Sequence, residues 1–278
     1  MLRVYVGFTE RFVAGGILVA CADDPGALHL SGYAKGKKWS SRTYGMQGSA
    51  WDYQIGELSC KQDGCYQFSL KVNQLDVSME ASIVVSLQVP GLHNVYNATA
   101  ALAVSHILKL PLSDACSAIN KFLGTGRRFD IRGEVAGISV IDDYAHHPTE
   151  IRATLAAARL RYPGRKIWAL WQPHTYSRVR ALLEQFSICF ADADCLIVTD
   201  LYAARENPPS DGFSIQDVVK SIHHPDIRFI AELSSVCSYL CENLQAGDVL
   251  CVLSAGDAEQ VSSEVLEGLT LRRSINVF

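Results

Sequence analysis

The sequence lacks the features that mark several common functional classes. Its net charge is −4, so no basic surplus favours nucleic acid or an anionic membrane surface as a partner. It has no run of eighteen or more apolar residues, so we expect no transmembrane helix. It also contains neither a Gly-x4-Gly-Lys-Ser/Thr phosphate loop nor a Gly-x-Ser-x-Gly nucleophile turn.

Closely spaced cysteines are also scarce. Of the nine cysteines, only Cys60 with Cys65 and Cys237 with Cys241 form close pairs. Neither pair has Cys-x2-Cys spacing or a neighbouring histidine, which argues against a zinc site. Most other thiols lie in apolar runs, as buried thiols do in a reducing compartment. The first ten residues also lack the apolar core of a signal peptide, so we predict a cytoplasmic protein.

The first 125 residues have a mixed pattern. The tetrapeptide Asp23-Asp24-Pro25-Gly26 has the composition of a turn. Between residues 39 and 90, alternating β-like runs separated by glycines predict an antiparallel meander with one solvent-facing side. The predicted strands are residues 17–20, 51–55, 66–72 and 81–89, and the predicted helices are 92–104 and 113–123.

From about residue 126 the pattern changes to alternating strands and helices. Most of the strands are continuous apolar runs, as expected for parallel strands covered on both faces, and the alternation predicts an α/β, Rossmann-like doubly wound sheet. No Gly-x-Gly-x-x-Gly follows its first strand, so this fold does not imply NAD. The predicted strands are 138–141, 167–171, 195–198, 227–230 and 249–253, and the predicted helices are 148–161, 177–191, 214–222, 233–243 and 257–267.

Polar residues follow four of these strands. Because the carboxyl ends of parallel strands share one edge, we expect their side chains to line one crevice. An anionic substrate served by Arg and His fits this composition. Alternatively, Asp142, Asp143, His146 and His147 could bind a metal in a hydrolase, although neighbouring side chains in a turn point different ways. The residues expected to converge are His146, His147, His174, Arg178, Arg205 and Asp257.

Two asparagines mark the start of the alanine-rich helix at 92–104. Asn94 and Asn97 are spaced i and i+3, so they share one helix face. Asn is a poor residue for a helix interior. Both capping of the helix and recognition of a ligand by the amides remain open for this pair.

Several motifs together resemble the Mur ligase family. The resemblance extends from about Phe12 to the C-terminus, and its most specific parts are Asp142-Asp-Tyr-Ala-His-His-Pro148 and Gln172-Pro-His-Thr-Tyr-Ser-Arg178. The further matching motifs are Pro90-Gly-Leu-His-Asn-Val-Tyr-Asn-Ala98, Gly126-Arg-Arg-Phe-Asp130, Asp200-Leu-Tyr-Ala-Ala-Arg-Glu206 and Ser254-Ala-Gly-Asp257.

This resemblance implies a fold and an activity. Residues 1–125 would be the C-terminal portion of the central ATPase domain, and residues 126–278 the C-terminal Rossmann-like domain. The implied reaction is ATP-dependent ligation in peptidoglycan synthesis, with L-alanine and UDP-N-acetylmuramate as substrates. ATP would phosphorylate the muramyl carboxylate, and the amine would then attack the acyl phosphate. The phosphate loop, the Mg²⁺ ligands and the UDP-sugar domain would belong to an N-terminal part that is missing here.

The resemblance also implies roles for particular residues, although it assigns no certain catalytic residue and no metal ligand in this chain. Asn94 and Asn97 would contact the adenine of ATP, Arg127 or Arg128 its phosphates, and Asp143 its ribose. Substrate binding would fall to residues around the amino acid and the reacting carboxyl group. These are Tyr144, His146, His174 and Arg178.

The missing elements lead to expectations for the chain alone. We expect a shortened form of a full ligase rather than a split or degenerate protein, and we expect no ligation by the chain by itself. The alternatives are a non-catalytic remnant that binds a nucleotide or a partner, and the sister ligase that recycles a whole tripeptide. An incomplete central domain would expose apolar surface, so we also expect self-association through residues 1–125.

Overall fold

The computed structural model describes residues 2–48, 50–73 and 82–275. The chain forms two compact units, one ending at Leu123 and the other beginning at Gly124. No helix within the described ranges is both long and apolar enough to cross a membrane.

In the first unit, the described residues form a five-stranded sheet and four helices. The sheet order is β1-β2-β3-β4-β5. Its strands are β1 Ile17–Cys21, β2 Ser40–Gly45, β3 Tyr53–Cys60, β4 Cys65–Val72 and β5 Ser82–Pro90. Its helices are α1 Leu2–Thr9, α2 Pro25–Gly32, α3 Leu92–Ile107 and α4 Leu112–Lys121. The predicted start of the last strand, at Ala81, lies outside the described residues.

The three strands predicted to form the meander correspond to β3, β4 and β5, and these strands pair antiparallel. Strand β2, which was not predicted, lies in the same stretch and pairs in parallel with both β1 and β3. The turn predicted at residues 23–26 begins a helix instead: Asp24 accepts a hydrogen bond from Ala27 N at 2.7 Å, and Pro25 is the first helical residue. Helix α2 returns the chain between β1 and β2, which is why these strands are parallel.

The core of the first unit lies between the sheet and α3. Phe68, Leu70 and Val85 point from the strands toward Val95 and Leu102 of the helix, and all five are at most 1% exposed. Small alanines elsewhere on α3 allow this close approach. Burial of this kind contributes roughly 1.5–3 kcal/mol for each large apolar side chain.

The second unit contains a six-stranded sheet of order β10-β9-β8-β11-β7-β6, in which only β6 is antiparallel. Its strands are β6 Asp130–Val135, β7 Ile138–Asp143, β8 Ile167–Trp171, β9 Cys195–Val198, β10 Ile227–Phe229 and β11 Val249–Leu253. Its helices are α5 Pro148–Arg161, α6 Tyr176–Ala181, α7 Leu183–Phe186, α8 Ile215–Ser221, α9 Leu233–Asn243 and α10 Gln260–Ile275.

Helices cover both faces of this sheet, so the predicted doubly wound fold is confirmed. Leu155 of α5 and Val218 of α8 pack in the core on one face. Leu240 of α9 and Val265 of α10 pack on the other. The chain reaches β10 at one edge and then returns to place β11 between β8 and β7. Such a reversal of strand order is where α/β sheets bind ligands.

Three local predictions for this unit differ from the structure. The single helix expected at 177–191 breaks at Leu182, whose φ of −118° and ψ of 16° leave the helical region. Val179 and Phe186 still face the core, because an apolar stripe does not require one continuous helix. Helix α10 begins at Gln260 rather than at residue 257. The edge strand β6 was not predicted, since none of its residues is buried and they form no apolar run.

Candidate active site at the carboxyl edge of the second unit

The parallel strands β7, β8, β9 and β11 bring their carboxyl ends to one edge of the sheet. His146 follows β7 and His174 follows β8, and their ring centroids lie 5.8 Å apart. The Nη1 atom of Arg178, one helical turn later in α6, lies 2.9 Å from His174 Nδ1. The ring of Tyr144 meets that of His146 edge to face, with centroids 5.3 Å apart. The structure therefore brings together all four residues predicted to bind the substrate.

Hydrogen bonds determine which nitrogen of each imidazole carries a proton. His146 Nδ1 lies 2.7 Å from the carbonyl oxygen of Tyr144, which can only accept, so this nitrogen donates. A guanidinium can only donate, so His174 Nδ1 is the acceptor for Arg178. Burial lowers the pKa of His174, and the positive charge of Arg178 lowers it further. His174 is therefore neutral, with its proton on Nε2.

Tyr202 supports His174 from the end of the neighbouring strand. Its ring stacks on the imidazole with centroids 5.6 Å apart and planes at 21°. Backbone bonds lock this contact, because Thr175 N donates to Tyr202 O at 3.0 Å and Tyr202 N donates to Pro173 O at 2.8 Å. The imidazole ring is thus fixed from both sides before any ligand binds.

Gln172 connects the ends of β8 and β11. Its Nε2 donates to Asp257 Oδ1 at 2.7 Å, and its Oε1 accepts from Ser254 Oγ at 2.7 Å and Ala258 N at 3.1 Å. Asp257 is thus drawn into a structural network beside Tyr202. A polar pocket of about 460 Å³ lies next to this network, lined by Gln172, Asp200, Tyr202, Glu232 and Asp257 among others.

Glu150 and His147 close the start of helix α5. Glu150 Oε2 accepts from the backbone N–H groups of His146 and His147 at 3.1 Å each. His147 Nδ1 accepts from Thr149 N at 3.2 Å. His147 is therefore a capping residue, while the same carboxylate fixes the backbone that carries His146.

The carboxylate of Asp143 is already engaged in internal hydrogen bonds. It accepts from Phe129 N and Ala145 N at 2.8 Å each and from Thr154 Oγ1 at 3.0 Å. Burial raises its pKa, against the effect of these hydrogen bonds. The residue is 6% exposed, and Oδ1 keeps one free acceptor position.

Asp142 points to the other face of β7, toward Arg127. Its Oδ2 lies 3.6 Å from Arg127 Nε, and neither carboxylate oxygen has a hydrogen-bond partner among the described residues. Burial raises its pKa to about 6, although Arg127 acts in the opposite direction. Glu259 competes for the same cation, because its Oε2 lies 2.6 Å from Arg127 Nε.

The two arginines predicted near the ATP phosphates have different environments. Arg127 Nη2 donates to Ser254 O at 2.8 Å and to Gly256 O at 3.4 Å, so this guanidinium is held within the unit. Arg128 has a side chain 54% exposed, with Glu150 as a distant ion pair at 3.9 Å. Both guanidiniums lie over the ring of Tyr144, at 4.9 and 5.7 Å from its centroid.

The predicted adenine contacts lie on α3 in the first unit. Asn94 Nδ2 donates to Pro90 O at 2.7 Å, and Asn97 Nδ2 donates to Asn94 Oδ1 at 3.2 Å. The N-cap residue is Gly91, so Asn94 lies in the first turn of the helix, and its hydrogen bond to Pro90 O links that turn to the end of strand β5. Asn97 is exposed. Its hydrogen bond to Asn94 fixes the orientation of its amide group, and with it the position of the amide oxygen.

The geometry gives no support to the metal-hydrolase interpretation. Asp142 and Asp143 lie in strand β7 and point to opposite faces, as successive strand residues must. Within residues 2–48, 50–73 and 82–275, no three His, Cys, Asp or Glu side chains converge as ion ligands. Arg205 is exposed in the loop after β9, outside the cluster of contacts around His174.

Comparison with known families agrees with both units. The profile of the Mur ligase middle domain matches residues 3–105, and that of the Mur ligase glutamate ligase domain matches residues 127–256. The chain belongs to the Mur ligase family. Its predicted membership is therefore confirmed.

Two curated relatives within the Mur ligase family show what kind of ligase this chain is similar to. The chain is 38% identical over 262 residues to a UDP-N-acetylmuramate–L-alanine ligase of Caldanaerobacter subterraneus subsp. tengcongensis, covering 94% of this chain and 55% of that protein. It is 39% identical to a ligase of the same name from Kineococcus radiotolerans, covering 95% and 55%. The chain thus spans about half the length of the curated relatives it matches.

Solved Mur ligase structures share the fold. The UDP-N-acetylmuramate–alanine ligase of Thermotoga maritima superposes with a TM-score of 0.68 at 26% identity, covering 93% of this chain and 52% of that one. A murein peptide ligase from Psychrobacter arcticus gives 0.70 at 24% identity, covering 96% and 54%. The second likeness concerns the fold alone.

Sequence reasoning assigned no particular role to Tyr202 or Gln172. Both follow strand ends, so their positions could be read from the sequence, but their contacts depend on neighbouring strands. Glu150 stands three residues after the helix N-cap, which is the sequence signal of a capping box. That signal alone could have linked it to His146.

Proposed function

We propose that this chain forms the amino-acid end of an ATP-dependent ligase that joins L-alanine to UDP-N-acetylmuramate. The observation that carries the proposal is the cluster of His146, His174 and Arg178 at the carboxyl edge of the second unit. A small zwitterion needs one cationic and one acceptor contact, and this cluster offers both. The relatives near 38% identity, which bear that activity in their names, support this choice.

Each predicted residue has a role within this proposal. Arg178 and His174 hold the carboxylate of the amino acid, because Arg binds carboxylates through charge-assisted hydrogen bonds. Tyr144 and His146 lie beside the amine. This orientation places the amine toward the acyl phosphate, and positioning of reactants lowers the barrier by replacing an encounter in solution.

We also propose contacts to ATP for residues of each unit, considered one by one. Asn97 offers an exposed amide, Asp143 keeps one acceptor position for a ribose hydroxyl, and Arg128 presents an exposed guanidinium. We propose Asn94 as the residue that orients Asn97, and Arg127 as the support of the loop that carries Arg128. ATP supplies the phosphoryl group that activates the muramyl carboxylate, and we propose Mg²⁺ as the ion accompanying it. We place the reaction in the cytoplasm, which is supported by nine unpaired cysteines.

Phosphate release tests the proposal directly. The chain with ATP, UDP-N-acetylmuramate, L-alanine and Mg²⁺ is expected to release no phosphate, because its sequence lacks the phosphate loop. Replacing the matching part of the Caldanaerobacter ligase by this chain is expected to give an active chimera. Turnover by the chain alone at the rate of a complete ligase would contradict the first expectation, and a folded but inactive chimera would contradict the function.

Matched variants and substrates sharpen this assay. In the chimera, Arg178→Gln is expected to raise the KM for L-alanine at least tenfold, since a charged hydrogen bond contributes about 1.5–3 kcal/mol. Arg180→Gln on the same helix is the control, because Arg180 binds Asp211 at the surface. Use of a tripeptide in place of L-alanine would assign the chain to peptide recycling.

A further inference from the structure

We propose that His146 accepts the proton of the substrate amine and that His174 donates a hydrogen bond to the substrate carboxylate. This inference rests on the proposed function and deepens it. Its basis is the opposite hydrogen-bonding state of two imidazoles whose centroids lie 5.8 Å apart.

The free nitrogen of His146 is an acceptor. Its Nδ1–H is used by the carbonyl oxygen of Tyr144 at 2.7 Å, which leaves the Nε2 lone pair available. The carboxylate of Glu150 lies 3.6 Å from Nδ1 and stabilises the imidazolium that would form after proton transfer. A base oriented through its second nitrogen by a carbonyl and supported by a carboxylate is suited to proton transfer.

The free nitrogen of His174 is a donor. Arg178 occupies its Nδ1 at 2.9 Å, so the proton of the neutral ring lies on Nε2. Stacking on Tyr202 fixes the direction of this N–H. An amino acid presents one ammonium and one carboxylate, and the two rings offer the complementary acceptor and donor.

The proposed step conserves atoms and charge. An α-ammonium group transfers one proton to His146 Nε2, giving a neutral amine and an imidazolium. The amine lone pair then forms the C–N bond at the acyl phosphate carbon, and the C–O bond to phosphate breaks. The surplus proton of the attacking nitrogen passes to the departing phosphate, which leaves as hydrogen phosphate, and a neutral amide remains. The muramyl acyl phosphate is the product of the phosphorylation that the proposed function supplies.

The test uses the intact chain labelled with ¹⁵N-histidine. Long-range ¹H–¹⁵N correlation near neutral pH is expected to show the Nδ1–H tautomer for His146 and the Nε2–H tautomer for His174. L-Alanine is expected to move the Nε2 resonances of both rings, and propionate, which lacks the amine, only that of His174. The exposed ring of His223 serves as an internal reference. Reversed tautomers, or an equal response of His146 to both ligands, would overturn the proposal.

Two variants separate proton acceptance from a structural role. His146→Asn places an amide N–H near the former Nδ1 and keeps a donor for the Tyr144 carbonyl, but it removes the Nε2 acceptor. We expect it to reduce the preference for L-alanine over propionate from tenfold or more to about twofold, with unchanged propionate affinity. His223→Asn is the matched control. An unchanged preference in His146→Asn, or no response of the chain to L-alanine, would also overturn the inference.

The outcomes distinguish this inference from the proposed function. An active chimera that retains full activity with His146→Asn would refute the proton acceptor and leave the ligase assignment intact. An inactive chimera together with the expected tautomers and selective response to L-alanine would instead refute the ligase assignment.

Discussion

Asp142 is a fully buried carboxylate whose surroundings disfavour its charge. It is 0% exposed, and burial raises its pKa from 3.8 to about 6. Because the native pKa exceeds that of the unfolded chain, protonation favours the folded state. The resulting stability is complete below about pH 4 and is lost as the pH rises through 6.

Replacement of Asp142 by Asn removes this titration. When the pH is lowered from 7.5 to 4, the unfolding free energy of the native protein is expected to rise by about 2–3 kcal/mol more than that of the Asp142→Asn variant. Urea unfolding of both proteins at several pH values measures this difference in unfolding free energy. Because all other groups titrate in both proteins, their contributions cancel in the difference. A difference that stays constant with pH would show that Asp142 is ionised throughout.

The adjacent arginines are expected to differ in their effect on stability. Arg127→Met breaks bonds to Ser254 and Gly256 and leaves Asp142 without its cation, so the unfolding free energy is expected to fall by about 2–4 kcal/mol. Arg128 is the exposed neighbour, and Arg128→Gln is expected to change the unfolding free energy by less than about 0.5 kcal/mol. Urea unfolding measures both, and equal effects would contradict the structural role of Arg127.

The backbone around these arginines adopts an unfavourable conformation that hydrogen bonds hold in place. Arg127 and Phe129 have φ values of 60° and 48°, in the left-handed region that costs non-glycine residues about 1–2 kcal/mol each. The cost is offset by bonds from Phe129 N to Asp143 and from Tyr144 N to Arg127 O. The loop that carries Arg128 is therefore a fixed part of the second unit.

At the scale of secondary-structure elements, the loop after β11 fits tightly against the loop after β9. A Cβ atom at Gly256 would lie 2.6 Å from Tyr202 Cγ and would also clash with Gln172. Gly256→Ala must therefore displace Tyr202, which stacks on His174. We expect the unfolding free energy of the second unit to fall by about 1–3 kcal/mol and the Nε2 resonance of His174 to move.

A matched glycine provides the control for that variant. A Cβ atom at Gly32, in helix α2 of the first unit, has no neighbour within 4 Å. Gly32→Ala is expected to leave the second unit unchanged, as read by hydrogen exchange of strands β7 to β11. If Gly256→Ala were equally silent, the close contact with Tyr202 would not constrain the site.

Helices and strands could be predicted from the sequence where both faces of an element are buried and its residues are therefore apolar. Strands β8, β9 and β11 of the second unit are apolar throughout, and β7 and β10 are largely apolar, so hydrophobic runs of strand length were enough to predict them. The parallel pairing of β1 to β3 was not predicted, because Asp24-Pro25 was interpreted as a turn although it also matches a helix start. The stacking of Tyr202 on His174 joins residues 28 positions apart, and no local pattern encodes such a contact.

At the scale of the whole molecule, helix α1 presents an apolar face to solvent. Val4, Tyr5 and Phe8 are 74%, 52% and 61% exposed, and Val13 beyond the helix is 73% exposed. Contiguous exposed apolar side chains of this kind mark association surfaces. Phe12 anchors the segment by packing on Trp39 with centroids 5.3 Å apart, so the exposed face is held in place.

We therefore predict that the chain associates with a second copy through this face. Sedimentation velocity is expected to show a dimer that increases with concentration, because burial of such side chains is favourable by roughly 25 cal/mol per Å². Val4→Glu combined with Phe8→Ser is expected to shift the protein to monomer. Leu271→Glu, at a singly exposed leucine of α10, is the control that should not. A native protein that stays monomeric at all concentrations would show that the exposure of α1 is tolerated without a partner.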